Sequence, residues 1–305
     1  MRINNLPMVS TFNSVFLGIR FMRNRSTPAK KELPIQTFTK IQQLFAEKGW
    51  PLDGFLDEGY FDKFCLMMQD LSEEQQEMLL SLSQDFVWVQ DMEYLKYFVM
   101  VFDLLINQLS TNVRRTIVIT PLLPPEDFGK PKSSVALFYQ IKSSIFHIQK
   151  KYSSHNICLL ENPSMLDESN FAPDTVFCLV DDFIGSGETA IAATQFFLDR
   201  KIPTNNIFVL GLVAMQQGVD CLTQNSIHVF SGRIMQKAIS ERSDGKKDTY
   251  CELMKAIEVK IKVRDEYKFG YAQSEGLVKM MRTPNNTFPI YWLKNKKNQN
   301  PPFPR

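Results

Sequence analysis

The chain has 305 residues, 44% of them hydrophobic and 22% charged, a composition typical of globular proteins. Its formal net charge of +2 is too small to indicate nucleic acid or a membrane as a partner, and no apolar run is long enough to span a bilayer. Five scattered cysteines without a C-x-x-C spacing indicate a reducing, cytoplasmic location, and the three histidines form no zinc-ligand pattern.

The first 112 residues divide into two regions, and neither contains a glycine-rich loop. Residues 1–35 contain four arginines but no continuous apolar segment, so we expect a loosely ordered extension rather than a signal peptide. Residues 36–112 have apolar positions at helical spacing and a capping box at Ser72 and Gln75, which predicts a helical subdomain. Its Phe- and Met-rich faces either pack in a core, which we favour, or dock a partner protein.

From residue 113 to residue 305 the pattern changes to strands that alternate with helices. This order predicts an α/β domain with a parallel, doubly wound sheet that binds ligands at the carboxyl ends of its strands. We expect residues 231–262 to be polar and mostly helical. The predicted strands span residues 116–123, 157–160, 175–180, 206–215 and 227–230.

The most informative stretch runs from Thr175 to Ala190. An apolar strand that ends at Val180 is followed by the acids Asp181 and Asp182, a glycine- and serine-rich loop, and a helix. Glycines allow a tight turn close to a ligand, and a helix N-terminus offers free N–H groups to a phosphate. Two adjacent carboxylates suit a diol rather than a phosphate, so the stretch predicts a ribose 5-phosphate site. The alternative is an ordinary strand–loop–helix turn. The residues expected to hold the phosphate are Gly185, Ser186, Gly187, Glu188 and Thr189.

A second strand-to-helix loop, after the strand at residues 116–123, is a candidate anion site. Four polar residues lie just before or at the start of the next helix: Lys130, Lys132, Ser133 and Ser134. Taken alone, two exposed lysines on a surface loop explain this pattern equally well. The presence of the first loop favours the anion site, since a ligand with a phosphate and a pyrophosphate needs two separate binding loops.

The C-terminal part combines prolines, asparagines and aromatic residues. This composition predicts an ordered, non-helical loop over residues 283–292 rather than a disordered tail. Asn285 and Asn286 either contact the edge of a nucleobase or cap their own turn, and we favour the turn.

The acidic-pair motif Val180-Asp181-Asp182-x-x-x-Ser186-Gly187-x-Thr189 resembles the phosphoribosyl-pyrophosphate (PRPP) motif of type I phosphoribosyltransferases. The run Thr-Pro-Asn-Asn-Thr-x-Pro-Ile-x-Trp that begins at Thr283 is similar to the PRTase-CE branch, which is associated with bacterial conflict (anti-phage) systems. The resemblance covers roughly residues 40–305.

The resemblance implies a glycosyltransferase that uses PRPP with Mg²⁺, works in a defence system and has a protein partner. Asp181 and Asp182 would bind the ribose hydroxyls, residues 185–189 the 5-phosphate, and the loop from Lys130 to Ser134 the pyrophosphate. Purine-salvage members carry an acid at the position of Gly185, where it binds the base. The glycine here makes ordinary purine salvage doubtful and leaves the acceptor open.

Two other functions remain compatible with the same motif. A non-catalytic sensor would bind PRPP or a nucleotide and signal to a partner through the helical half. A third alternative is an interaction protein with a vestigial pocket, but the intact acidic pair and the Ser186-Gly187-x-Thr189 loop argue against it.

Overall fold

Helices make up most of the described residues that precede the central sheet. The structure, a computed structural model, describes residues 32–53, 59–109, 113–167 and 172–305, so the extension predicted over residues 1–35 lies outside the described residues up to residue 31. The capping box is confirmed, because the Ser72 hydroxyl accepts from the N–H of Gln75 and the Gln75 side chain accepts from the N–H of Ser72. The elements here are α1 (Ile35–Lys48), α2 (Tyr60–Gln69), α3 (Glu73–Gln84), the short strand β1 (Val87–Trp88) and α4 (Tyr94–Gln108).

The rest of the chain alternates between strands and helices, as the sequence predicts. Its elements are β2 (Thr116–Pro121), α5 (Ser133–Ser143), α6 (Ile145–Lys151), β3 (Asn156–Leu159), β4 (Val176–Ile184), α7 (Glu188–Leu198), β5 (Ile207–Met215), α8 (Gln216–Gln224), β6 (His228–Met235), α9 (Lys247–Lys260) and the short strand β7 (Val278–Lys279). Five strands form one parallel sheet in the order β3-β2-β4-β5-β6, which confirms the predicted fold class.

The strand order reverses beside β2. The chain passes from β2 to β3 on one side and then returns to place β4 on the other side. In a doubly wound sheet such a reversal opens a crevice at the carboxyl ends of the two strands, where ligands bind. The loops that follow β2 and β4 both reach this crevice.

The strand β4 is longer than the sequence predicts. We expected it to end at Val180, but its pairing with β5 continues through Asp181 opposite Gly211 to Ile184 opposite Ala214. Backbone pairing with β5, a fully buried strand, therefore extends the strand through the polar residues.

The sheet separates two apolar clusters. Alternate residues of one strand face opposite sides, so Cys178 and Val180 join one cluster while Phe177 and Leu179 join the other. The larger cluster includes α1–α5 and α9, and the smaller one includes α7 and α8. Each face of the sheet is thus covered, as the continuous apolar strands require.

The helical half shares its core with the C-terminal segment. Trp50 and Phe86 lie 5.7 and 5.1 Å from the ring of Phe303, and Phe86 also packs on Tyr291 at 5.0 Å between ring centroids. The strand β1 pairs in parallel with β7. Residues Leu33–Arg305 accordingly form one compact unit.

Residues 231–262 differ from the helical prediction at their beginning. The strand β6 continues to Met235 because Gly211 to Met215 of β5 pair with Ser231 to Met235. This is an edge strand, so its polar residues hide the apolar pattern that identifies the inner strands. Helix appears only in α9. None of the helices in the described ranges is long and apolar enough to cross a membrane.

Candidate functional site

A cleft with a volume of about 670 Å³ lies at the carboxyl ends of β2 and β4. Four parts of the described chain line it: Leu122 with the loop into α5, the end of β4 with the start of α7, Tyr271, and the C-terminal residues 281–286 together with Arg305. Its volume is in the range of small-molecule sites, and its place is the strand reversal where doubly wound sheets bind ligands.

The connection from β4 to α7 has the geometry of an anion cradle. Gly187 precedes α7 with a φ of +89°, a left-handed conformation that suits glycine, and a Cβ there would lie 3.1 Å from the carbonyl oxygen of Gly218. The first N–H groups of α7 have no partner within the helix. The hydroxyls of Ser186 and Thr189 face the cleft without a hydrogen-bond partner in the described part of the chain. All five residues predicted to hold a phosphate, 185–189, line the cleft.

Asp181 and Asp182 lie inside β4 and occupy different environments. Asp182 is 2% exposed, and the Tyr94 hydroxyl donates to its Oδ2 at 3.2 Å. Asp181 is half-buried and accepts from the Ser133 hydroxyl at 3.3 Å and from the N–H of Asp182 at 2.9 Å. The two carboxylates are therefore not equivalent, and Asp181 is the more accessible one.

Burial raises the pKa of both carboxyl groups. The pKa of Asp181 lies well above its ordinary value because of burial and of the neighbouring Asp182 carboxylate. The pKa of Asp182 is raised by burial, against the hydrogen bonds that it accepts. Burial and the same carboxylate raise the pKa of Tyr94, which keeps this hydroxyl protonated as a donor. Groups that bind protons this readily are typical of sites that receive a ligand.

The loop into α5 contributes only part of what the sequence predicts. Lys132 and Ser133 line the cleft, whereas Lys130 and Ser134 are not among its lining residues in the described part of the chain. Ser134 is 2% exposed inside the first turn of α5. Asp127 forms ion pairs with Lys130 at 3.1 Å and with Lys132 at 2.8 Å.

These ion pairs also set the charge state of Asp127. Burial would raise the pKa of Asp127, but its hydrogen bonds to Lys132 and Lys130 outweigh burial and hold the pKa below its ordinary value. No motif marks Asp127 in the sequence, although this acid orients both lysines before any ligand binds.

Two tyrosines from distant parts of the chain contact acids of the cleft, and one of them, Tyr271, also lines it. The Tyr94 hydroxyl, which donates to Asp182, also accepts from the N–H of Met281. The Tyr271 hydroxyl donates to Oε2 of Glu188 at 3.0 Å. Neither tyrosine has a signal in the sequence, since Tyr94 lies in an apolar helical stripe and Tyr271 begins a short 3₁₀ helix that no motif marks.

Asn286 fills the space beside Gly185. A Cβ on Gly185 would lie 2.3 Å from Oδ1 of Asn286, which is itself 6% exposed. The Asn286 amide donates to the Ser274 hydroxyl at 2.7 Å and to the carbonyl oxygen of Tyr271 at 3.2 Å. The favoured prediction that Asn286 caps its own turn is therefore wrong, because its amide joins two distant segments. Asn285 lines the cleft.

The residues present suit Mg²⁺ only as a companion of a phosphate ligand. No group of three His, Cys, Asp or Glu side chains in the described ranges is placed to hold a metal ion. Mg²⁺ commonly binds through one or two carboxylates, water and substrate phosphates, and the half-buried Asp181 offers one such carboxylate. The Mg²⁺ prediction stays a prediction.

Several solved structures match this chain at low identity and low TM-score. Orotate phosphoribosyltransferase from Aeropyrum pernix is 14% identical with a TM-score of 0.31, and the match covers 48% of this chain and 72% of that chain. The APRTase of Giardia lamblia is 13% identical with a TM-score of 0.30, over 46% of this chain and 79% of that chain. The AQ2163 protein of Aquifex aeolicus is 12% identical with a TM-score of 0.29, over 67% of this chain and 86% of that chain.

Comparison with curated proteins gives no match. The PRTase-CE family model, by contrast, matches residues 69–305, which include β1 to β7, the whole cleft and the Tyr94 contact. The phosphoribosyltransferase-like resemblance of the acidic-pair motif is thereby confirmed, and this chain belongs to the PRTase-CE family.

Proposed function

We propose that this protein binds PRPP, or a nucleotide with a ribose 5-phosphate, in the cleft and transfers the phosphoribosyl group to an acceptor. The observation that carries the proposal is the hydrogen bond of 3.3 Å from Ser133 to Asp181. It joins the loop after β2 to the end of β4, so two anion cradles meet at a carboxylate pair. A ligand with phosphates at both ends and a diol between them matches this order.

Each part of the ligand has a counterpart in the cleft. The 5-phosphate would accept from the N–H groups at the start of α7 and from the hydroxyls of Ser186 and Thr189. The ribose hydroxyls would donate to Asp181 and to the remaining oxygen of Asp182. The pyrophosphate would lie near Lys132 and Ser133, which line the same cleft.

The transfer would depend on charge and position rather than on a nucleophilic side chain. The bond between ribose C1 and the pyrophosphate oxygen breaks with its electron pair on the pyrophosphate, and an acceptor lone pair forms the new bond to C1. Positive charge develops on the ribose ring beside the carboxylates of Asp181 and Asp182, which would stabilise it. Mg²⁺, when bound with PRPP, would neutralise the charge of the departing pyrophosphate.

Calorimetric titration of PRPP with Mg²⁺ into the wild type and the Asp181→Asn/Asp182→Asn variant tests the site. Loss of two charge-assisted hydrogen bonds, at about 1.5 kcal/mol each, predicts a dissociation constant raised by about 100-fold. Asp248→Asn, an exposed acid at the start of α9, is the control and should leave the affinity unchanged. Equal affinities of the wild type and the double variant would rule out the site.

A second candidate is a sensor that binds the same ligand without turnover. The hydrogen bond from Tyr94 of α4 to Asp182 favours it, because this bond joins the helical half directly to the site. Release of pyrophosphate from PRPP at a rate abolished by the double variant would support the enzyme. Binding without release, with ligand-dependent capture of a partner protein, would support the sensor.

A role in a bacterial defence system, in the cytoplasm and with a protein partner, belongs to the same proposal. Its support is that the chain belongs to the PRTase-CE family, and that this family is associated with bacterial conflict systems. Phage challenge of cells that carry the protein with its neighbouring genes would test it. Protection that is lost in the Asp181→Asn/Asp182→Asn variant would support the role, and equal protection would contradict it.

A further inference from the structure

Two arginines line the cleft on the wall formed by the C-terminal segment. Arg282 and Arg305 both reach it, although 22 positions of the chain lie between them. Thr283 and Phe303, both 0% exposed, bring them together, because the Thr283 hydroxyl donates to the carbonyl oxygen of Phe303 at 2.8 Å. The two guanidinium groups are thus attached to one buried tether and not to two independent loops.

Neither guanidinium has an acidic partner in the described ranges, although other charged groups of the cleft do have partners. Lys132 is paired with Asp127, and Glu188 accepts from Tyr271. Arg305 instead lies over the ring of Trp292, 5.9 Å from its centroid, a contact that leaves its positive charge unneutralised.

The two arginines also act on each other. Burial and the positive charge of Arg282 lower the pKa of Arg305, so the two groups are close enough for repulsion. An anion between them would remove this repulsion. Guanidinium groups bind carboxylates and phosphates with two parallel hydrogen bonds, which makes a pair of them selective for such groups.

The place of the pair differs from that of both phosphate cradles. Arg282 follows Met281, whose N–H donates to the Tyr94 hydroxyl beside Asp182. The pair therefore lies on the wall joined to Asp182, whereas the loop with Lys132 and Ser133 meets Asp181. Asn285 lines the same wall, and its side chain has no hydrogen-bond partner in the described part of the chain.

We propose that Arg282 and Arg305 bind a carboxylate or phosphate group of the acceptor, so that the acceptor is an acid. This inference rests on the proposed function. It narrows the open acceptor class to molecules that carry an anionic group, with Asn285 free to contact a polar edge of the same molecule.

Matched pairs of acidic and uncharged ligands test the inference. Calorimetry would compare orotate with uracil and nicotinate with nicotinamide, each with and without saturating PRPP and Mg²⁺. We expect at least one acid to bind tenfold or more tightly than its uncharged partner. This preference should disappear in the Arg282→Ala/Arg305→Ala variant and fall only partly in Arg282→Lys/Arg305→Lys, which retains the charges but not the planar fork.

Control titrations keep the inference separate from PRPP binding. Arg264→Ala, an exposed arginine near Glu266, should leave every affinity unchanged. The Arg282→Ala/Arg305→Ala variant should bind PRPP within twofold of the wild type and melt at the same temperature.

Three results would overturn the inference. These are no preference for any acid, a preference that survives in the double alanine variant, and a tenfold loss of PRPP affinity in that variant, which would assign the arginines to the pyrophosphate. A wild type that binds no PRPP would contradict the proposed function instead, and the titrations without PRPP would still decide whether the arginines select acids.

Discussion

The two walls of the cleft are built in different ways. The connection from β4 to α7 uses consecutive residues, 181–189, whose glycines, hydroxyls and helix start form the cradle locally. The opposite wall is held by contacts between Asn286, Ser274 and Tyr271, and by the tether between Thr283 and Phe303. One half of a site can therefore be identified in a sequence, while the other half exists only after the chain has folded.

The largest expected effect tests whether the C-terminal wall belongs to the core. Phe303→Ala removes a side chain that is 0% exposed and packs on Trp50, Phe86 and Trp88. We expect the free energy of unfolding, measured in urea, to fall by about 3 to 5 kcal/mol, as for other buried phenylalanines.

Ser186→Ala, on the locally built wall, is the matched comparison. It should change the free energy of unfolding by less than about 0.5 kcal/mol, because it truncates a cleft residue without a partner in the described part of the chain. Similar small losses in both variants would contradict the contrast between the two walls.

An intermediate effect is expected where the two walls meet. Gly185→Ala places a methyl group 2.3 Å from Oδ1 of Asn286, which its bonds to Ser274 and Tyr271 hold in place. We expect a loss of about 2 kcal/mol in the free energy of unfolding from this overpacking.

A double-mutant cycle with Asn286→Ala isolates that contact. Asn286→Ala alone leaves the buried Ser274 hydroxyl without this donor and should cost about 1 to 2 kcal/mol. The double variant should lose at least about 1 kcal/mol less stability than the sum of the losses in the two single variants. The reason is that Asn286→Ala removes the side chain with which the new methyl group of Gly185→Ala collides. Additive costs would show that the walls do not touch at this point.

The smallest effect concerns the link from the helical half. Tyr94→Phe removes the donor to Asp182 and the acceptor for the N–H of Met281, so we expect a loss of about 1 kcal/mol in stability and a several-fold change in PRPP affinity. Tyr152→Phe is the control, because Tyr152 makes a similar bond of 2.8 Å to Asp103 outside the cleft. Tyr152→Phe should lower the free energy of unfolding by a similar amount without changing the PRPP affinity. An equal change of PRPP affinity in both variants would show that Tyr94 has no specific role at the site.

The sequence predicts the elements that depend on local pattern. All five strands of the sheet, and the turn that brings residues 185–189 to the cleft, follow from apolar runs, glycines and helix spacing. It misplaces the end of β4 because pairing with β5, and not polarity, decides where a strand ends. It misses β6 beyond Phe230 for the same reason.

The sequence is less informative about side-chain partners. The sequence shows four similar polar residues at the start of a helix: Lys130, Lys132, Ser133 and Ser134. Only the folded structure shows that Ser134 is buried and that Asp127 forms ion pairs with both lysines. The same holds for Asn286, whose partners Tyr271 and Ser274 are defined by tertiary contact and by no local turn rule.

The hydrogen bond between Tyr94 and Asp182 has a thermodynamic consequence for α4. If a ligand at Asp182 shifts the position of α4, then any molecule that binds α4 in its shifted position must change the affinity of that ligand by the same factor. Met100 and Leu104 of α4 are 42% and 44% exposed, so this helix has a surface at which such a molecule can act. The ligand of the cleft and the molecule on that helix surface then change each other's affinity by the same factor. The affinity of either one, measured with and without the other bound, gives the coupling free energy between them.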